Sequence, residues 1–166
     1  NGVITGIFSA GGQTCMAGSR LLLQESIHDE FVERLVAIAS KAKLGDPSLP
    51  DVQVGPVATR PQFDKVVSYI DIAKAEGAHC AFGGKVRSGP GYGAGQFVEP
   101  TIFTGVDNGM RIAQEEVFGP VLSVLKFKDE ADAVRIGNDI RFGLAAGVWT
   151  RSLHRAMHMS ERLKAG

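Results

Sequence analysis

The 166-residue chain is 44% hydrophobic and 22% charged, the balance of one globular domain with a full core. Its 18 basic and 18 acidic residues cancel, and no long basic run offers nucleic acid or an anionic membrane a surface to bind. No stretch has membrane-spanning length or a signal-peptide pattern, and the two cysteines, Cys15 and Cys80, make neither a metal-ligand spacing nor a disulfide framework. A reducing, cytoplasmic compartment is the expectation.

The first informative segment is FSAGGQTCMAGSR, Phe8 to Arg20, which sets Cys15 on a glycine-lined bend. Apolar Ile4, Ile7 and Phe8 precede it, and Leu21, Leu22 and Leu23 follow. Gly11, Gly12 and Gly18 fit a tight loop that presents a thiol and leaves amide N–H groups for a developing oxyanion. These residue types suit a nucleophile; a small buried hydrophobe is the alternative for any free cysteine. A thiol with an ordinary pKa of ~8.5 is mostly protonated at neutral pH, so it needs a helix N-terminus, a cation or a base. Arg20 is the nearest cation, open between that role, an ion pair and a solvated position. No histidine lies close in sequence.

The spacing predicts a helix over 26–43, with Ser26 and Asp29 as a capping box and Gly45 as the stop. Ile27, Phe31, Leu35, Ile38 and Ala42 form its apolar stripe. After a Pro- and Gly-punctuated loop, a second helix begins near Pro61, buries Phe63, Val66, Ile70 and Ala73, and ends at Gly77. Ala78–Phe82 reads as a strand with Cys80 packed in it, and FGGKVRSGPGYGAGQ as a glycine-rich connection compatible with a hairpin. Phe97–Phe103 is strand-like, with Pro100 arguing for an edge or irregular strand. RIAQEEVFGP reads as a helical turn and loop, and Val121–Phe127 as a buried strand. Asp129 caps a third helix carrying Ala133, Val134 and Ile136. A final strand over Ala145–Thr150 leads to a helix capped by Ser152, with Leu153, Met157, Ser160 and Leu163 on one side and Met157 and Met159 as core or flank residues. Strands alternating with helices of crossover length predict an α/β fold: a largely parallel sheet flanked by helices in three layers.

The second informative segment is Gln114–Pro120, QEEVFGP. Its adjacent carboxylates can accept hydrogen bonds from sugar hydroxyls beside the apolar plate of Phe118; a solvated acidic turn over a core phenylalanine is the alternative. Neighbouring acids on one loop point apart, which argues against glycoside hydrolysis. GGKVRSGPGYGAG lacks the spacing of a phosphate-binding loop and opens no helix. Among His28, His79, His154 and His158, the last two share a helix face at i, i+4, but no third metal ligand accompanies them.

GQTCMAGSR, KLGDP at 43–47, VGP at 54–56, FVEPTIF, QEEVFGPV and NDIRFGLAAGVWT together, in this order, resemble the catalytic domain of NAD(P)-dependent aldehyde dehydrogenases. The resemblance implies that Cys15 attacks an aldehyde carbonyl, that the thiohemiacetal yields hydride to NAD or NADP, and that the resulting thioester is hydrolysed to a carboxylic acid. It makes the Cys15 N–H one oxyanion donor, Glu116 the partner of the nicotinamide-ribose hydroxyls, Phe118 a neighbour of that region, and Leu144 a less specific cofactor contact. It implies a homodimer or homotetramer when full length, with a small-molecule aldehyde as substrate and no nucleic-acid or membrane partner. Ala10 stands where many members have asparagine. Asn1 at the start and KAG at the close read as cut ends, so 1–166 is expected to be one catalytic domain. The family's general-base glutamate, second oxyanion donor, dinucleotide-binding domain and oligomerisation segment would lie outside it, and this piece alone would be inactive. An acylating enzyme using coenzyme A, and a binding or assembly module with an inert thiol, are the rival readings.

Overall fold

The computed structural model describes residues 2–166. Its centre is strand β6, whose first five residues, Val121 to Leu125, are all buried. A strand covered on both faces needs such a nearly continuous apolar run, and its one polar member, Ser123, donates its hydroxyl to Ile112 O at 3.3 Å. Alternation along it deals side chains to opposite faces. Val121 and Leu125 join Phe103, Val66, Ile70 and Ile136 in one core, while Leu122 and Val124 join Ile102, Leu23, Leu35 and Phe8 in another. The result is the expected three-layer α/β arrangement.

In chain order the elements are α1 (Gly2–Phe8), β1 (Arg20–Gln24), α2 (His28–Ala39), α3 (Arg60–Ala75), β2 (His79–Phe82), β3 (Val86–Gly89), β4 (Gly93–Val98), β5 (Thr101–Thr104), α4 (Arg111–Gln114), β6 (Val121–Phe127), α5 (Glu130–Asn138) and α6 (Leu153–Arg162). The main sheet runs β1-β6-β5-β2, with β1 and β5 parallel to β6 and β2 antiparallel to β5. Helices α1 and α2 cover one face, and α3 and α5 the other. The glycine-rich connection forms the hairpin β3–β4. Among the described residues no helix is long and apolar enough to cross a membrane.

Several local expectations are corrected. Helix α2 starts at His28 after a 3-10 turn over Glu25–Ile27, with no capping side chain, and stops at Ala39. Asp29 is engaged by the buried His28 ring through Nδ1 at 2.6 Å, so no capping box forms with Ser26, and Ala42 lies past the helix. At Pro100 the expected strand is interrupted, the irregular alternative rather than an edge of the main sheet. The proline falls between β4 and β5, where the chain leaves the hairpin for the main sheet, and the following Thr101 N–H donates to Pro120 O at 2.8 Å inside the sheet. Ala145–Thr150 forms no strand among the described residues. The cap of α6 is as expected, Ser152 accepting from Arg155 N at 3.2 Å. Its buried residue is Met159, however, while Leu153 and Met157 are exposed.

Candidate active site

Two loops meet because of where they enter the sheet. The Cys15 loop runs into the start of β1, and the loop Glu115–Pro120 runs into the start of β6. These strands are parallel neighbours, with Arg20 paired to Ser123, so the loops emerge side by side. Their contact is intimate: a Cβ added at Gly12 would lie 2.0 Å from the Gly119 carbonyl oxygen. Only glycine fits there, and it also accommodates the φ of +70°.

The chain reaches Cys15 through three left-handed residues in succession, Ala10, Gly11 and Gly12. Gln13 then fastens the loop, its Oε1 accepting from Ala58 N at 2.9 Å and its Nε2 donating to Pro56 O at 3.5 Å. A turn closed by Ala17 N donating to Thr14 O at 2.9 Å puts Cys15 and Met16 at its tip, and Gly18 N ties the loop back to Gly6 O. Cys15 is exposed, and its N–H has no main-chain acceptor among the described residues. Cys80 is half-buried, its thiol donating to Phe82 O at 3.4 Å, and burial pushes that thiol up.

The adjacent acids separate as expected. Glu115 accepts two hydrogen bonds from Arg111, at 3.0 and 2.9 Å, and one from the Tyr69 hydroxyl at 2.5 Å. Those bonds, Arg111's first, hold its carboxyl down to about 2. Glu116 is exposed and makes no hydrogen bond or ion pair among the described residues. Phe118, partly exposed, adopts φ +57°, a left-handed conformation unusual for an aromatic residue.

The Aldehyde dehydrogenase family matches residues 1–166. The chain belongs to that family. A betaine aldehyde dehydrogenase of Mesorhizobium japonicum is 51% identical over 99% of this chain and 34% of its own length. An aldehyde dehydrogenase of Emericella nidulans is 48% identical over 97% of this chain and 32% of its own. Betaine aldehyde dehydrogenase from Staphylococcus aureus, solved in complex with NAD+, superposes with a TM-score of 0.96 at 42% identity, covering 99% of this chain and 33% of that one. The chain thus spans about a third of the length of the curated relatives it matches.

Within this family member the structure brings together the loops of Cys15, Glu116 and Phe118. Leu144 is 62% exposed in the irregular segment after α5. Arg20 does not serve the thiol. Its guanidinium donates to Asn108 Oδ1 at 2.6 Å and Ile136 O at 2.8 Å, and burial lowers its pKa against the opposing pull of Asp139. His158 pairs with Glu130, and no group of three potential metal ligands occurs among the described residues. Gln62 and Tyr69 carry no local sequence signal, because each acts across the fold on the loop at 115–118, whereas the Arg111–Glu115 pair is an i, i+4 spacing that the sequence could have offered.

Proposed function

We propose that residues 1–166 form the nucleophile-bearing catalytic domain of an aldehyde dehydrogenase that oxidises an aldehyde to a carboxylic acid with NAD+ or NADP+. The observation that carries this reading is the contact between the Cys15 loop and the Glu115–Pro120 loop at Gly12 and Gly119. It joins the loop that carries the exposed Cys15 thiol to the loop that carries Glu116 and Phe118, which supports the reading.

Those residues fit the nicotinamide-ribose end of a dinucleotide. Glu116 has no protein partner among the described residues and can accept from two ribose hydroxyls, and Phe118 offers an apolar face next to it. Glu115, spent on Arg111 and Tyr69, stiffens the loop. When bound, the cofactor supplies the acceptor for the hydride that leaves the Cys15 thiohemiacetal. The exposed Cys15 thiol gives its proton to solvent as its sulfur bonds to the carbonyl carbon, and the free Cys15 N–H donates to the oxygen that becomes negative. Hydrolysis of the thioester releases the acid and regenerates the thiol.

The dinucleotide-binding and oligomerisation segments, the general base and the second oxyanion donor belong to other parts of the full-length polypeptide, a cytoplasmic homodimer or homotetramer. Betaine aldehyde, named in the relatives, is the first substrate to test. The test is Cys15→Ser in the full-length polypeptide. Aldehyde oxidation falls by about 10³-fold or more while NAD+ affinity is kept. Activity within about tenfold of the parent would refute Cys15 as the nucleophile.

A further inference from the structure

Helix α3 presses one stripe of side chains onto the loop that carries Glu116 and Phe118. Gln62, Val66 and Tyr69 stand at i, i+4 and i+7, a single helical face. The Gln62 side-chain amide donates to Val117 O at 2.8 Å and to Phe118 O at 2.9 Å, using both of its hydrogens. Val66 fills the space beside Gly119, where an added Cβ would meet its Cγ2 at 2.4 Å. Tyr69 holds Glu115. Gln62 itself is fixed: it lies in the first turn of α3, its N–H donating to the Thr59 hydroxyl cap at 3.4 Å.

The residue between the two clamped carbonyls is the left-handed one. Phe118 at φ +57° occupies a conformation that is costly for a non-glycine residue and persists only where its surroundings over-determine it. Two hydrogen bonds from one rigid amide supply that determination. The entry to α3 is also bound to the nucleophile loop, since Ala58 N donates to Gln13 Oε1. One helix therefore ties both loops of the site to a common frame.

We propose that Gln62 is a positioning residue for the cofactor, holding the Phe118 backbone left-handed so that its ring stays at the nicotinamide-ribose region. This rests on the functional reading above, which assigns Phe118 to that region. In this role Gln62 acts through Phe118, by its bonds to Val117 O and Phe118 O.

The experiment uses the full-length polypeptide with Gln62→Met and Gln62→Glu. For Gln62→Met, calorimetry gives an NAD+ dissociation constant about tenfold above the parent's. Iodoacetamide alkylation of Cys15 without cofactor stays within about twofold, a readout independent of turnover. For Gln62→Glu, the carboxylate faces two carbonyl oxygens at about pH 8 and loosens the loop. Near pH 5.5 its raised pKa restores one O–H donor, and affinity recovers several-fold relative to the parent at the same pH. This second arm carries the test if Gln62→Met does not fold. Parental NAD+ affinity in a folded Gln62→Met protein, or no recovery of Gln62→Glu on acidification, overturns the positioning role alone. A parent protein that does not bind NAD+ overturns the functional reading as well.

Discussion

Single atoms decide the geometry of this site, and Gly12 is the sharpest case. A methyl group there would sit 2.0 Å from a main-chain oxygen, which cannot swing away as a side chain could. The φ of +70° adds strain for any L residue. Gly12→Ala is expected to cost about 3 kcal/mol in urea unfolding and to change the Cys15 alkylation rate, because the loops must part. Gly6 is the matched control: it lies inside α1, and an added Cβ has no neighbour within 4 Å. Gly6→Ala is expected to stabilise by roughly 0.5–1 kcal/mol, since alanine loses less backbone freedom in a helix. Glu115 sets a pH dependence. Its folded pKa, about 2, lies below the ordinary 4.5, so its contribution is complete above the higher value and is lost as pH falls from there towards 2. Stability should fall across that window, less steeply in Glu115→Gln. An equal slope in the two proteins would remove Glu115 from the acid transition.

Elements show which signals were readable. Asp129 and Ser152 cap α5 and α6 as the sequence indicates, accepting from Asp132 N at 2.9 Å and Arg155 N at 3.2 Å. Asp129→Ala or Ser152→Ala should each lower stability by about 1 kcal/mol, measured by denaturant titration. Cap residues are legible because the bond spans three residues. The buried strand β6 is legible because a doubly covered strand is apolar along nearly its whole length, here broken only by Ser123 within Val121–Leu125. Ser26 misled because a capping pattern competes with other uses of the same side chain, and here Asp29 turns to His28 and Lys126. Ala145–Thr150 misled because an apolar run becomes a strand only beside a neighbour with free main-chain groups. At the site, Cys15 and Phe118 could be picked out from local composition. The contact between their loops could not, since it follows from β1 and β6 pairing in parallel across about a hundred residues of chain. Gln62 was invisible for the same reason: a polar residue on a helix face gains its meaning from what the fold places opposite it.

On the proposed reading, the molecule as a whole offers one part of a larger site. Cys15 and Glu116 are exposed, and the segment from Phe142 to Leu153 carries apolar side chains into solvent, Trp149 among them at 82% exposure. Its indole touches the start of α1, where a Cβ on Gly2 would meet the ring at 2.6 Å, but most of it is uncovered. Exposed apolar groups in such a run mark a surface made for contact. On the proposed function, the isolated 166-residue chain is expected to fold around its two cores without forming a working site. Iodoacetamide should label its Cys15 in preference to Cys80, whose sulfur is half-buried, hydrogen-bonded and pushed to higher pKa by burial. The same preparation, given NAD+ and betaine aldehyde, should make no sustained NADH. If Glu116 and Phe118 meet only the nicotinamide-ribose end of a dinucleotide, as proposed, too little of its surface is engaged for binding at ordinary concentrations. Supplying the full-length polypeptide restores turnover without changing the order of cysteine labelling. Steady NADH production by the isolated chain would mean that the site is complete within these residues.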